Sequence, residues 1–242
     1  MTKNQTPFWD HLDELRSKIV LCLSLFFLGF IGFYFCSDEL LNWIRKPLFN
    51  ALPPDRQKLY YTSLFENFLV HLKLAGYASL TFLSPAYFLI LWRFIAPGLK
   101  KKEKTFVLPY VFIGSFFFIG GGAFAYFVLL PIGIRYFLSY GTSQEVALLT
   151  LDHYVTTILK LLFGFGVCFE LPVVLVILGQ VGILTDETLA KNRKTAFVII
   201  TVLSALVAPP DAISMLLLMA PLYLLYEAAI LIVKKTAKSN KY

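Results

Sequence analysis

The sequence predicts an all-α, multi-pass membrane protein, and three observations carry that prediction. First, 58% of the residues are hydrophobic and only 15% are charged, with a mean hydropathy of +0.71; a soluble domain carries about 25% charged residues. So much apolar surface needs lipid rather than a larger core. Second, the apolar residues gather in runs close to the 20 or so that a helix needs to cross a bilayer. Third, the basic residues gather in alternate connections. Fifteen of the 22 lie in the N-terminal stretch, in 93–104, in 191–194 and in 234–241, against five (Arg45, Lys46, Arg56, Lys58 and Arg135) in the other connections. Basic loops stay in the cytoplasm, so both termini are expected inside, an even number of spans fits, and residues 1–242 read as one integral membrane domain. The net charge of +7 therefore reports topology and not nucleic-acid binding.

Six spans are expected. The first covers about 19–36; no small-residue cleavage site follows it, so it reads as a retained signal-anchor helix. A polar stretch with Arg45, Lys46, Pro47, Pro53 and Pro54 comes next. The second span, about 68–92, has His71 and Lys73 at its outer end, where the long Lys73 stem can carry its ammonium to the interface. The third, about 106–130, is interrupted by Gly120-Gly121-Gly122, and the fourth, about 154–181, contains Glu170 and Pro172. The fifth, about 196–208, reaches only about 20 Å, short of a hydrocarbon core. Ala208-Pro209-Pro210-Asp211 then turns the chain into the sixth, about 213–233, since two prolines end a helix abruptly. The last two spans are the short ones. No pair of interrupted segments corresponds across two halves, which counts against an inverted-repeat transporter.

Four groups of residues invite a chemical reading. Before the first span, His11-Leu12-Asp13-Glu14-Leu15-Arg16-Ser17-Lys18 reads as an amphipathic helix. Phe8, Leu12, Leu15 and Ile19 share one face, and Glu14 points away from it. That is either a helix lying on lipid or a carboxylate held at the water boundary for a cationic partner. Glu170 lies deep in the fourth span, where a charge costs several kcal/mol, so it is functional or paired. The expectation is a protonated carboxyl, or one bonded to a hydroxyl such as Thr201 or Ser204; a structural clamp between helices is the other reading. Glu227 sits near the cytoplasmic end of the sixth span, where a structural role is the simpler one, and Asp211 is placed to cap the sixth helix.

Enzyme signatures are poor. His11, His71 and His153 lie in separate segments, no HExxH, GxSxG or Walker sequence occurs, and Cys22, Cys36 and Cys168 have no metal-binding spacing. A six-span secondary transporter with Glu170 as its proton carrier remains an alternative from the residues alone, with an intramembrane enzyme as a third choice.

One pattern runs through nearly the whole chain. It begins with His11-Leu12-x-Glu14-Leu15-Arg16 before the first span, and Pro47 follows in the first outer connection. Ser84-Pro85 then precedes Trp92-x-Phe94-x-Ala96-Pro97-Gly98-Leu99 and Glu103. Tyr126-Phe127 with Pro131 closes the third span, Phe163-Gly164 runs on to Phe169-Glu170-Leu171-Pro172 in the fourth, and Ala208-Pro209-Pro210-Asp211 joins the last two. In order and spacing the sequence resembles the TatC family, the TatC subunit of the twin-arginine protein translocase. The resemblance implies a concave, glove-like bundle in a bacterial inner membrane. It implies a cytoplasmic site for twin-arginine signal peptides at Glu14 and Glu103, with Leu12, Arg16 and Phe94 beside them. It further implies that Glu170 and Glu227 belong to intramembrane docking of TatA-type and TatB-type single-span subunits, and that Pro47 and Asp211 shape the outer face. A homo-oligomer within a larger complex, transport of folded proteins driven by the proton-motive force, and no bound cofactor are implied as well. Lys100, Lys101 and Lys102 depart mildly from that expectation, being more basic than a site for arginines suggests.

Overall fold

The computed structural model describes residues 7–95, 107–139, 148–208 and 211–239. Among the described residues the chain is helical, with one isolated bridge between Tyr60 and Thr150. The helices are α1 (Pro7–Phe35), α2 (Ser37–Phe49), α3 (Glu66–Phe82), α4 (Ser84–Ile95), α5 (Val107–Phe124), α6 (Leu130–Leu138), α7 (Leu151–Phe169), α8 (Leu171–Gln180), α9 (Asp186–Lys191), α10 (Arg193–Val207) and α11 (Ala212–Ser239). Four segments are long and apolar enough to cross a bilayer: Leu12–Phe35, Leu108–Leu138, Leu151–Gln180 and Ala212–Lys235. A fifth is the pair α3 and α4, bent by 55° at Leu83. The 15 residues of α10 extend about 22 Å, short of a hydrocarbon core of about 30 Å.

Prolines set the breaks. Pro85 denies an amide to the carbonyl four residues back, and α3 ends beside it, its last carbonyls at Ser79 and Thr81 taken by the Leu83 amide. Pro172 does the same after Glu170, which separates α7 from α8. Pro131 behaves differently from the expected stop. A π turn over Ala125–Leu129 precedes it, and the helix resumes with Pro131 in the first turn of α6, where a missing N–H is tolerated. The polar stretch after the first span is not a loop: α2 is amphipathic, with Ser37, Leu41, Ile44 and Leu48 buried along one face.

Small residues let the long helices touch. A Cβ on Gly121 of α5 would lie 2.5 Å from the Phe165 carbonyl oxygen of α7, and one on Gly166 would lie 3.0 Å from the Phe118 carbonyl oxygen. The two backbones thus meet at two levels, as in close-packed membrane helices. α7 is the hub of the core: Val155 and Phe165 are fully buried, together with Leu74 of α3 and Leu218 of α11. α1 lies at the edge, packed on α3, where Ser79 Oγ donates to the Phe26 carbonyl at 3.0 Å; its other face, with Leu28 and Phe35, is exposed and suited to lipid.

The end of the bundle that carries α2 is tied by polar groups. One Glu66 oxygen accepts from the Thr62 amide at 2.6 Å and the Thr62 hydroxyl at 3.0 Å, and the other accepts from the Asp152 amide at 2.9 Å. Lys73 pairs with Asp152 and donates to Thr156 Oγ1 at 3.0 Å. Lys73 therefore has a carboxylate partner on α7, which anchors it where snorkelling alone was expected.

Gly121→Ala should lower the stability of the detergent-purified protein by about 1–3 kcal/mol, the usual cost of overpacking. Gly120→Ala should be neutral or mildly stabilising, because a Cβ there meets nothing within 4 Å. Thermal melts of the two variants check this, and equal losses would remove the backbone contact as the cause.

Candidate functional site

Two regions collect the residues expected to matter. The first is the end of the bundle where α1 begins. Leu12, Glu14, Leu15 and Arg16 lie on α1 itself, which runs without a break from Pro7 into the first apolar span. The pre-span segment and the span are one continuous helix, so the face of α1 on which Glu14 lies is in register with the span. Leu12, Leu15 and Arg16 are exposed and Glu14 is half-buried. α1 packs against α4, whose last turn carries Phe94. Glu103 lies outside the described residues, together with Ala96, Pro97, Gly98, Leu99 and Lys100 to Lys102.

The helices on either side of that connection are held together. Trp92 of α4 is buried and stacks on Tyr110 of α5, with ring centroids 5.5 Å apart and planes at 23°. Tyr110 in turn donates its hydroxyl to Gln180 at the end of α8. Sequence reading missed this tie, although an aromatic pair at the two boundaries was its signal.

The second region surrounds Glu170. The residue occupies the turn between α7 and α8, its amide bonded to the Val167 carbonyl at 3.1 Å. Its carboxylate faces α5: a Cβ on Gly114 would lie 3.3 Å from Oε2 and 3.5 Å from Oε1. It interacts there with the Phe118 backbone amide, and Oε1 is buried without a hydrogen bond. The expected hydroxyl partners are not its partners. Thr201 Oγ1 donates to the Phe197 carbonyl at 2.8 Å and lies 3.3 Å from Met219 Sδ, and Ser204 Oγ is buried without a partner. The reason is steric. The break at Pro172 and the missing side chain of Gly114 leave room on the α5 side, and the carboxylate fills it.

Glu227 has an arginine partner. Arg193 Nε donates to Oε1 at 2.8 Å and Nη2 to Oε2 at 3.0 Å, a two-pronged pair of the kind a guanidinium favours. One residue before, the Tyr226 hydroxyl donates to the Leu189 carbonyl at 2.8 Å, so α11 grips both α9 and α10. Asp211 caps α11 as expected, accepting from the Ser214 amide at 2.7 Å. Pro47 is buried within α2, and the neighbouring Trp43 and Ile44 carbonyls accept from Tyr126 and Tyr154. Sequence reading quoted Tyr126 but did not single out Tyr154, because a partner 110 residues away leaves no local pattern.

Beside these regions, α2, α3, α5, the π turn and α7 line a half-open cavity of about 290 Å³ with an almost wholly apolar wall that includes Leu40, Trp43, Tyr77, Tyr126 and Phe163.

The chain matches the family model described as "Sec-independent protein translocase protein (TatC)" over residues 10–221. It is 35% identical over 229 residues to the Sec-independent protein translocase protein TatC of Desulforapulum autotrophicum, covering 95% of this chain and 84% of that one. The TatC protein of Carboxydothermus hydrogenoformans is 36% identical over 235 residues, covering 97% of this chain and 95% of its own length. Among solved structures, a crystal structure of the twin arginine translocase receptor TatC in DDM superposes with a TM-score of 0.81 at 31% identity, over 93% of this chain and 99% of that one.

The pair of Arg193 and Glu227 is partly open to solvent, with side-chain exposures of 48% and 31%, so it is worth little on its own. Glu227→Gln should cost a small amount of melting temperature at low salt. That difference should vanish near 1 M salt, where screening acts within about 3 Å. A large, salt-independent loss would mean that Glu227 holds something more than Arg193.

Proposed function

The chain belongs to the TatC family, and we propose that it is the core subunit of a twin-arginine translocase, the one that receives signal peptides at the cytoplasmic face. The observation that carries this is the agreement with that family in sequence and in fold over more than nine-tenths of the chain. It is a multi-pass membrane protein, and the asymmetry of its basic residues supports an orientation with both termini in the cytoplasm of a bacterial inner membrane. The start of α1, the end of α4 and the 96–106 connection then face the cytoplasm, and α2 lies outside.

In this reading the paired guanidinium groups of a signal peptide meet Glu14 of α1 and Glu103 of the 96–106 connection. A guanidinium presents a planar fork of donors that matches a carboxylate in two parallel bonds, and an ammonium cannot reproduce that fork. Exposed Leu12 and half-buried Phe94 offer apolar surface for the segment after the arginines, and Arg16 keeps the rim cationic towards anionic lipid. The membrane part of the complex forms around the cavity and Glu170. TatA-type and TatB-type single-span subunits and further copies of this chain are its partners, and the proton-motive force drives export of folded proteins without a bound cofactor. Family membership favours this reading of Glu170 over a proton carrier of a solute transporter.

Losing one carboxylate should weaken binding of a twin-arginine signal peptide about tenfold to a hundredfold, the worth of one hydrogen bond to a charged group. Crosslinking of such a peptide to membranes carrying Glu14→Ala, Glu103→Ala or both, alongside a twin-lysine peptide, measures it. If every variant keeps the parent preference for arginine, the recognition site lies elsewhere.

For Glu170, replacement by Ala should impair export of a twin-arginine reporter at equal membrane levels. Glu170→Gln should do less harm, because the amide keeps the shape that fits beside Gly114 and keeps an acceptor for the Phe118 amide. Parent-level export by Glu170→Ala would leave the residue without a role in transport.

A further inference from the structure

We propose that Tyr126 and Tyr154 are positioning residues that hold α2 as one wall of the membrane cavity, by bonding two consecutive α2 carbonyls, the first of which Pro47 leaves without its helical donor. In a regular helix the amide of residue 47 would bond the carbonyl of Trp43. Proline has no N–H, and its ring crowds that same carbonyl. Trp43 O therefore lacks its helical donor as a direct consequence of the sequence. The Tyr126 hydroxyl, 83 positions later, donates to it at 2.7 Å, and the two rings stack with centroids 5.3 Å apart and planes at 16°. The next carbonyl along, Ile44 O, accepts from the Tyr154 hydroxyl at 2.8 Å, and the Leu48 amide faces the same hydroxyl. Two consecutive carbonyls of one helix are thus bonded by side chains from two other elements, the π turn Ala125–Leu129 and α7. π turns inside α-helices recur at functional positions, and this one carries Tyr126.

The bonds do what the apolar contacts of α2 cannot. Leu41, Ile44 and Leu48 bury one face of the helix and so turn that face to the core, but apolar burial is non-directional and leaves the register along the axis unpinned. Near its start α2 is tied to α3 through His71, with Ser37 Oγ within 2.9 Å of His71 Nδ1 and Asp38 Oδ1 3.9 Å from His71 Nε2. The two tyrosines supply the directional ties for its second half. Leu40, Trp43 and Ile44 of α2 and Tyr126 itself line the cavity, so the latch sets the shape of that wall.

The proposal has a distinctive test, because removing the proline restores the missing donor. In the purified protein in detergent, Tyr126→Phe strands Trp43 O and should lower the melting temperature. Adding Pro47→Ala supplies an amide for that carbonyl and should return most of the loss. The same Pro47→Ala should not rescue Tyr154→Phe, since Ile44 O is served by position 48 and not by 47. Selective rescue is the expected result; losses that simply add in both double variants overturn the latch. The second readout, export of a twin-arginine reporter at equal membrane levels, rests on the translocation reading. Export should fall at least twofold with Tyr126→Phe, recover with Pro47→Ala, and fall without recovery with Tyr154→Phe. Parent-level export by Tyr126→Phe, despite its lower melting temperature, overturns the positioning role. Failure of the parent protein itself to export the reporter would count against the translocation reading, while the melting arm would still judge the latch.

Discussion

The backbone contact between α5 and α7 is the constraint on which the other features rest. In lipid the apolar faces of helices gain little by leaving the solvent, because the solvent is apolar too, and close van der Waals packing must supply the association. Gly121 and Gly166 provide it by removing the side chains that would hold the two helices apart. α7 is thereby fixed at the centre, with α3, α5, α10 and α11 against it. The same approach brings Gly114 of α5 opposite the break after α7, and that is why Glu170 has a place to sit.

Polar groups in such a bundle are costly unless bonded, and the described residues handle them in three ways. At the α2 end, Glu66, Lys73 and Asp152 satisfy one another and the loop amides. At the opposite end, Arg193 and Glu227 pair across α10 and α11 where solvent still reaches them. Glu170 shows the third, with one buried oxygen left unbonded at a helix break, as is the Ser204 hydroxyl on α10. A group kept in that state is available to a proton or to an incoming donor, and the docking role proposed for Glu170 rests on that availability.

Each proline break turns the chain towards a task. Pro85 bends the second span by 55°, so that α4 leaves the direction of α3. Pro172 frees the turn that holds Glu170. Pro47 leaves the Trp43 carbonyl of α2 to the Tyr126 hydroxyl. Pro131 makes no break, because the π turn before it has already shifted the hydrogen-bond pattern.

The sequence by itself determined the class, the shortness of the fifth apolar segment, and the cap at Asp211. These depend on local quantities: run length, charge placement between runs, and hydrogen bonds within a few residues. Motif order also identified the family before any geometry was known. The amphipathic spacing of Ser37, Leu41, Ile44 and Leu48 was equally local but lay hidden among prolines and charges that suggested a loop. What only the tertiary structure decided are the partners. Glu170 turned to Gly114 and not to Thr201 or Ser204, Lys73 found Asp152, Glu227 found Arg193, and two tyrosines reached across 83 and 110 positions to one helix. The physical reason is the same in each case. A membrane helix presents several polar side chains on different faces, and the sequence does not say which faces meet. The small residues that permit close approach choose the faces, and the choice appears only when the helices are packed.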